Sequence, residues 1–226
     1  MKGIKKYLLV TLVMIVNCGL GFPQQRTVSY NLSGLLSSGK LSTTNREATQ
    51  LAGKEQDGIR ISSSAGEGVV WLNEVKFSNG IIELDIKGKN VEQQSFLGVA
   101  FHGLEDTKTF DVIYLRPFNF EALDSVKRSH SVQYASHPEY PWQVLREKFN
   151  GKYETGLALV PDPNQWFHVR IEVNYPVVKT FVNGAAAPSL VVTKLNDRKS
   201  GILGLWVGNN SDGDFANLKI TYLDKN

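Results

Sequence analysis

Side chains able to do chemistry crowd into about one fifth of this chain, between His102 and Glu147, where three of its four histidines stand. In an extended segment 110–116, alternate residues share a face, so Val112, Tyr114 and Arg116 lie opposite Asp111, Ile113 and Leu115. The same alternation puts His130 with Tyr134 and opposite Gln133. A face bearing Tyr114, Arg116, His130 and Tyr134 joins flat aromatic surface, suited to the apolar side of a sugar ring, to forked guanidinium donors for hydroxyls or carboxylates. Trp142 adds a further ring, and His102, Asn119 and Gln133 add polar contacts. These eight residues form the expected carbohydrate-binding set. His130, titrating near neutrality, and Glu139 are the acid/base candidates within it. The alternative is that Arg116 and Arg128 pair with Asp111, Glu121 or Asp124 while the aromatic residues fill the core.

Other clusters point less far. His102, His130 and His137 would suit zinc by number, but their spacings of 28 and 7 residues follow no ligand pattern. There is no G-x-S-x-G nucleophile motif, and the only thiol is Cys18. The run Asn209-Asn210-Ser211-Asp212-Gly213-Asp214 sets oxygen ligands on alternate residues without the downstream Glu of an EF-hand, so Asp212 and Asp214 are candidates for a structural calcium site and otherwise for a turn. Asn209 to Ser211 is also a glycosylation sequon. No other cofactor is expected.

The elements that must position these residues are short apolar or alternating runs separated by turn residues: 58–62, 68–75, 80–87, 96–102, 110–116, 130–134, 166–173, 177–182, 202–207 and 215–222. Ten strands rich in Val, Ile, Phe, Tyr and Trp predict an all-β fold, an antiparallel two-sheet β-sandwich of jelly-roll type. Asn183-Gly184 is the strongest two-residue turn signal. Residues 141–149, opening on Pro141 and stopped by Asn150-Gly151, predict one short surface helix. The stretch 117–162 holds that helix and little strand pattern, and reads as an excursion from the sandwich edge of a length more often functional than idle.

The closing third resembles the last strands of concanavalin A-like lectin/glucanase sandwiches. It runs Trp166-Phe167-His168-Val169-Arg170-Ile171-Glu172-Val173, then Val177 to Val182 with Asn183-Gly184, then Gly201-Ile202-Leu203-Gly204-Leu205-Trp206 and Asp214-Phe215-Ala216-Asn217-Leu218-Lys219-Ile220. Laminin-G-like modules, family 16 glycoside hydrolases and, most closely, bacterial 3-keto-disaccharide hydrolase domains share this order. The resemblance implies the fold, and with it a carbohydrate partner on a concave sheet face or cleavage of a glycosidic bond in an oxidised sugar. A structural or adhesion module with a protein partner is the third reading. Family 16 enzymes carry E-x-D-x-x-E or E-x-D-x-E on a catalytic strand. Here Glu83-Leu84-Asp85-Ile86-Lys87-Gly88 lacks the third carboxylate, so Glu83 and Asp85 read as the solvated face of a half-buried strand.

Lys2, Lys5 and Lys6 precede an apolar run from Tyr7 to Val16, and Gly19 and Gly21 follow, the layout of a secretory signal over residues 1–21; the run is about half of what a membrane span requires. Export to the periplasm, outer surface or medium is therefore expected, with residues 22–226 as the sandwich domain. Cys18, at the end of the run, is a candidate lipid-anchor residue. Losing the leader removes three lysines and no acid, leaving 22 basic against 22 acidic side chains. A neutral surface lacks the drive that holds proteins on nucleic acid.

Overall fold

The computed structural model describes residues 25–51 and 57–223. The expected leader and Cys18 lie outside these residues. In chain order the elements are β1 (Gln25–Tyr30), α1 (Leu32–Ser37), β2 (Leu41–Thr44), β3 (Ala48–Gln50), β4 (Gly58–Ile61), β5 (Gly68–Phe77), β6 (Gly80–Lys87), β7 (Leu97–Gly103) and β8 (Phe110–Leu115). They continue with α2 (Pro117–Phe120), α3 (Ser125–Arg128), β9 (Val132–His137), α4 (Trp142–Phe149), β10 (Glu154–Thr155), β11 (Trp166–Asn174), β12 (Val177–Val182), β13 (Leu190–Thr193), β14 (Gly201–Val207) and β15 (Gly213–Leu223).

The strands form two antiparallel sheets, β13-β12-β11-β6-β15-β4-β3 with β1 also on β15, and β10-β9-β8-β7-β14-β5-β2. Each of the ten expected strands is present, within a few residues at either end. The added strands β1, β2, β3, β10 and β13 are short or polar edge segments, such as the mostly exposed Gln-Arg-Thr-Val-Ser-Tyr of β1, which carry no apolar alternation. Strand β6 alternates buried and half-buried positions along its whole length, so Ile82, Leu84 and Ile86 enter the core while Glu83 and Asp85 face outward. Its neighbour β11 does the same with Phe167, Val169, Ile171 and Val173. These side chains meet Leu97, Val99, Phe101, Ile113, Leu115, Leu203 and Leu205 of the second sheet in one cluster.

Strands β7 and β8, by contrast, are buried at every position. Their sheet is therefore covered on both faces, and on the outer one the cover comes from Trp71, Phe96 and Trp206 together with the 117–162 region. That region is not one excursion. Strand β9 returns to the sheet inside it, pairing with β8 on one side and β10 on the other. The two loops so formed carry α2 and α3 before β9 and α4 after it. Helix α4 spans 142–149 with Pro141 as its N-cap, and Gly151 at φ 72° takes the left-handed conformation that follows it. Asp124 caps α3 by accepting from the Val126 amide at 2.7 Å.

Candidate functional site

On the face of the seven-stranded sheet turned away from the core, β8 presents Val112 and Tyr114, β9 presents Gln133 and His137, and β14 presents Gly204 and Trp206. The register sets this: Tyr114 stands opposite Gln133, and Ile113 opposite Tyr134. Glycine makes room for the rings, since a Cβ at Gly98 would lie 2.7 Å from Tyr114 Cβ and one at Gly208 would lie 3.1 Å from Trp206 Cη2. Tyr114 and Trp206 lie 4.8 Å apart, centroid to centroid. The loops carrying α2, α3 and α4 wall this floor, leaving a cleft of ~780 Å³.

Tyr114, Arg116, Asn119, His130 and Trp142, from the expected set, all line the cleft. Gln133 lies just beneath, its Oε1 accepting from the Tyr114 hydroxyl at 2.8 Å and from Arg116. The expectation that Tyr134 shares this face is corrected by one position of register. Its side chain points into the core, fully buried, where its hydroxyl donates to Asp111 Oδ1 at 2.6 Å. His102 is also sealed inside: its Nε2 lies 2.8 Å from the Ser78 carbonyl and its Nδ1 2.6 Å from Lys194 Nζ. It stays neutral, because burial and the adjacent Lys194 charge press its pKa down to about 4. Lys194 in turn pairs with Asp111 Oδ2 at 2.9 Å, so this dry polar cluster ties the loop after β13 to β8. Glu139 is exposed and is not part of the cleft wall.

Behind the cleft wall, holding three of its lining residues, stands Glu154, which the sequence did not single out. It stands on the two-residue strand β10, 96% buried, and gathers two guanidinium groups and an imidazole. Arg146 of α4 donates from Nε at 2.7 Å and from Nη2 at 2.8 Å, Arg116 Nη1 lies 3.4 Å away, and His130 Nε2 lies 3.6 Å away. Burial alone would raise the Glu154 pKa, but the guanidinium groups outweigh it and hold the carboxyl below its ordinary range. Arg116 Nη1 also donates to the His130 carbonyl at 2.7 Å. Thus Arg116 pairs with Glu154, while Arg128 donates to the carbonyls of Ala122 and Leu123; neither binds Asp111, Glu121 or Asp124.

Two imidazoles border the cleft. Burial lowers the pKa of His130, with Arg146 and Arg116 adding to the effect against Glu154. Burial lowers that of His137 too, against the pull of Glu67 and Asp111. Both are therefore neutral near pH 7, able to accept a proton or to donate a hydrogen bond. His137 stacks on Phe110 at 4.8 Å and faces Glu67 Oε1 at 3.4 Å, and Glu67 Oε2 accepts from Trp206 Nε1 at 3.2 Å. Trp142 is 44% exposed, with the Arg146 guanidinium 5.0 Å from its ring.

At the turn into β15, Asp212 pairs with Lys89 at 2.5 Å and with Arg60, and Asp214 pairs with Arg60 at 2.7 Å. These cations take the charge that calcium would, so the residues present do not form a free donor set. Among the described residues no group of three or more His, Cys, Asp or Glu is arranged to hold a metal ion. No described helix is long and apolar enough to cross a membrane.

Sequence reasoning missed Trp206, Phe96 and Glu67 as cleft residues, and Glu154 as the buried acid behind the wall. A usable signal existed for one of them. Gly204 and Trp206 alternate along β14 and Gly208 follows just past its end, and glycines spaced around a tryptophan mark room kept for flat rings, here Trp71 and Trp206. Glu154 had none, being a single acid on a strand too short to show alternation.

Two antiparallel sheets with an aromatic, guanidinium-walled cleft on the outer face of one of them define a concanavalin A-like jelly-roll sandwich. The profile of a family described as the 3-keto-alpha-glucoside-1,2-lyase-like domain matches residues 37–221, and the chain belongs to this 3-keto-disaccharide hydrolase family. Among solved structures it is similar to the carbohydrate-binding module CBM66 from Bacillus subtilis, at 16% identity and TM-score 0.54 over 80% of this chain and 95% of that one. A galectin-like-fold protein of unknown function from Bacillus subtilis matches at 10% identity and TM-score 0.57, over 87% and 94%. The exoplasmic/lumenal domain of VIP36, in its Ca2+/Man-bound form, matches at 12% identity and TM-score 0.56, over 88% and 90%. No curated protein matches the chain in sequence.

Proposed function

We propose that this chain is an exported carbohydrate-binding protein that engages a glycan in the cleft of its seven-stranded sheet, the concave face of the sandwich. The observation that carries the reading is the meeting, in one cleft, of an exposed Trp142 beside Arg146, a floor backed by the nearly buried Tyr114 and Trp206 rings, and the neutral His130 held next to Glu154. Sugar hydroxyls exchange water for protein at a net gain of roughly 0.5–1.5 kcal/mol each, so ring surface decides affinity. Membership of a family described by action on a glucoside supports a sugar ligand, as does the likeness to the carbohydrate-binding module CBM66 and to VIP36 in its Ca2+/Man-bound form. In this reading residues 1–21 direct export, residues 22–226 form the sandwich domain, and Cys18 is the anchor if the route lipidates. Calcium enters only by displacing Arg60 and Lys89 from Asp212 and Asp214.

The neutral imidazoles favour a second reading, cleavage of a 3-keto-glucoside by elimination. His130 takes the proton from C2, which the C3 ketone acidifies; the electron pair forms a C1–C2 double bond, the C1–O bond breaks, and the departing oxygen is protonated from water. Titration with a soluble-glycan and 3-keto-glycoside panel, with product analysis, tests both. Saturable binding without products supports binding alone, and turnover abolished by His130→Ala with binding retained supports the lyase. Neither binding nor turnover across the panel would refute both and favour a protein partner.

A further inference from the structure

Strand β15 changes neighbours midway. It pairs with β4 from Gly213 to Ala216 and with β1 from Leu218 to Leu223, and its register against β6 slips between Ala216 and Lys219. At the break, Asn217 adopts φ 55°, a left-handed conformation that Asn tolerates better than most residues. The ends of β4 and β1 part there, and a cleft of ~490 Å³ opens on the outer face of the eight-stranded sheet, opposite the site described above. Bulges of this kind re-aim side chains. Asn217 Nδ2 donates to Asp85 Oδ2 at 2.7 Å, and Asp85 Oδ1 lies 2.8 Å from His168 Nδ1. The other ring nitrogen, Nε2, lies 3.6 Å from Glu83 Oε1, and Glu83 Oε2 pairs with Lys219 Nζ at 2.9 Å.

Donors and acceptors therefore alternate around an arc that runs from β15 through β6 to β11 and back, on side chains that reach solvent. Glu83 and Asp85 are about one-fifth exposed, and His168 and Lys219 about two-fifths. Such an arc suits a partner whose neighbouring groups each donate and accept, which is what adjacent sugar hydroxyls do. Tyr30, its hydroxyl 2.6 Å from that of Tyr222, adds an apolar wall. A cation is disfavoured because Lys219 and His168 already engage the carboxylates.

We propose that this cleft is a second saccharide site, recognising the vicinal diol of a pyranose through Asp85, Asn217, Glu83, His168 and Lys219. It is independent of the first cleft, and two sites on opposite outer faces let one molecule bridge two glycan chains, raising avidity without any new contact.

The test is a titration of the 15N-labelled full chain with the methyl α-glycosides of glucose, mannose and galactose. Saturable shifts of the Asp85, His168 and Asn217 amides are expected with at least one of them. They should persist unchanged in Trp142→Ala, and Asp85→Asn or Asn217→Gly should weaken them about tenfold. Glycine suits the backbone at 217, so that variant keeps the test alive if Asp85→Asn does not fold. No saturable shift at these amides with any of the three sugars, or isotherms unaltered in both variants, would overturn the proposal. A response here with none near His130 and Trp142 would support it while counting against the first cleft.

Discussion

Replacing Glu154 by Gln removes one negative charge from among Arg146, Arg116 and His130 while keeping the size of the side chain. Arg116 is only 5% exposed and cannot recover its hydration, so it is left as a buried cation with neutral partners. Arg146 is one-third exposed and regains water. Breaking a buried pair costs about 3–5 kcal/mol, and the retained amide oxygen still accepts one hydrogen bond, so a loss of about 3 kcal/mol is expected. With a urea m-value of about 3 kcal/mol/M, the unfolding midpoint should fall by about 1 M. The acid dependence gives an independent check. Because the folded-state pKa of Glu154 lies below its ordinary 4.5, its contribution is complete above that value and is lost as pH falls through the lowered one. The gap between wild type and Glu154→Gln should thus be constant above about pH 4.5 and close below it. A midpoint within about 0.2 M of wild type at neutral pH would refute the argument that this carboxylate pins α4 and His130 to the sheet.

Trp142→Ala removes a ring with about 110 Å² exposed, of which a sugar covers about half, worth roughly 1.5 kcal/mol or tenfold in Kd; Asn119→Ala should cost about threefold, and equal losses by calorimetry would count against stacking. His102 binds fewer protons folded than unfolded between its lowered value of about 4 and the ordinary 6.5, so stability should fall across that window by up to about 3 kcal/mol as pH drops. His102→Gln should flatten the slope in urea titrations. Added calcium should leave the melting temperature unchanged, because Arg60 and Lys89 hold Asp212 and Asp214; a calcium-dependent rise would contradict that pairing.

The strand content was legible in the sequence because alternation is a local property. Ile82, Leu84 and Ile86 against Glu83 and Asp85 declare a half-buried strand from eight residues alone, and Pro141 with Asn150-Gly151 brackets α4 in the same way. Tyr114, Arg116, Asn119, His130 and Trp142 were legible as a group by residue type and proximity along the chain. Register was not. Strands β8 and β9 are buried on both faces, almost throughout, so polarity does not report which side faces out, and one step of pairing exchanges Gln133 for Tyr134. Nor did the sequence show that Trp206 would join the cleft and Glu154 back its wall, that His102 would close against Lys194, or that Arg60 would reach Asp212 and Asp214. Those meetings span up to about 150 residues of chain and exist only once the sheets have paired, since long-range contacts depend on topology and leave no periodic trace in the residues that make them.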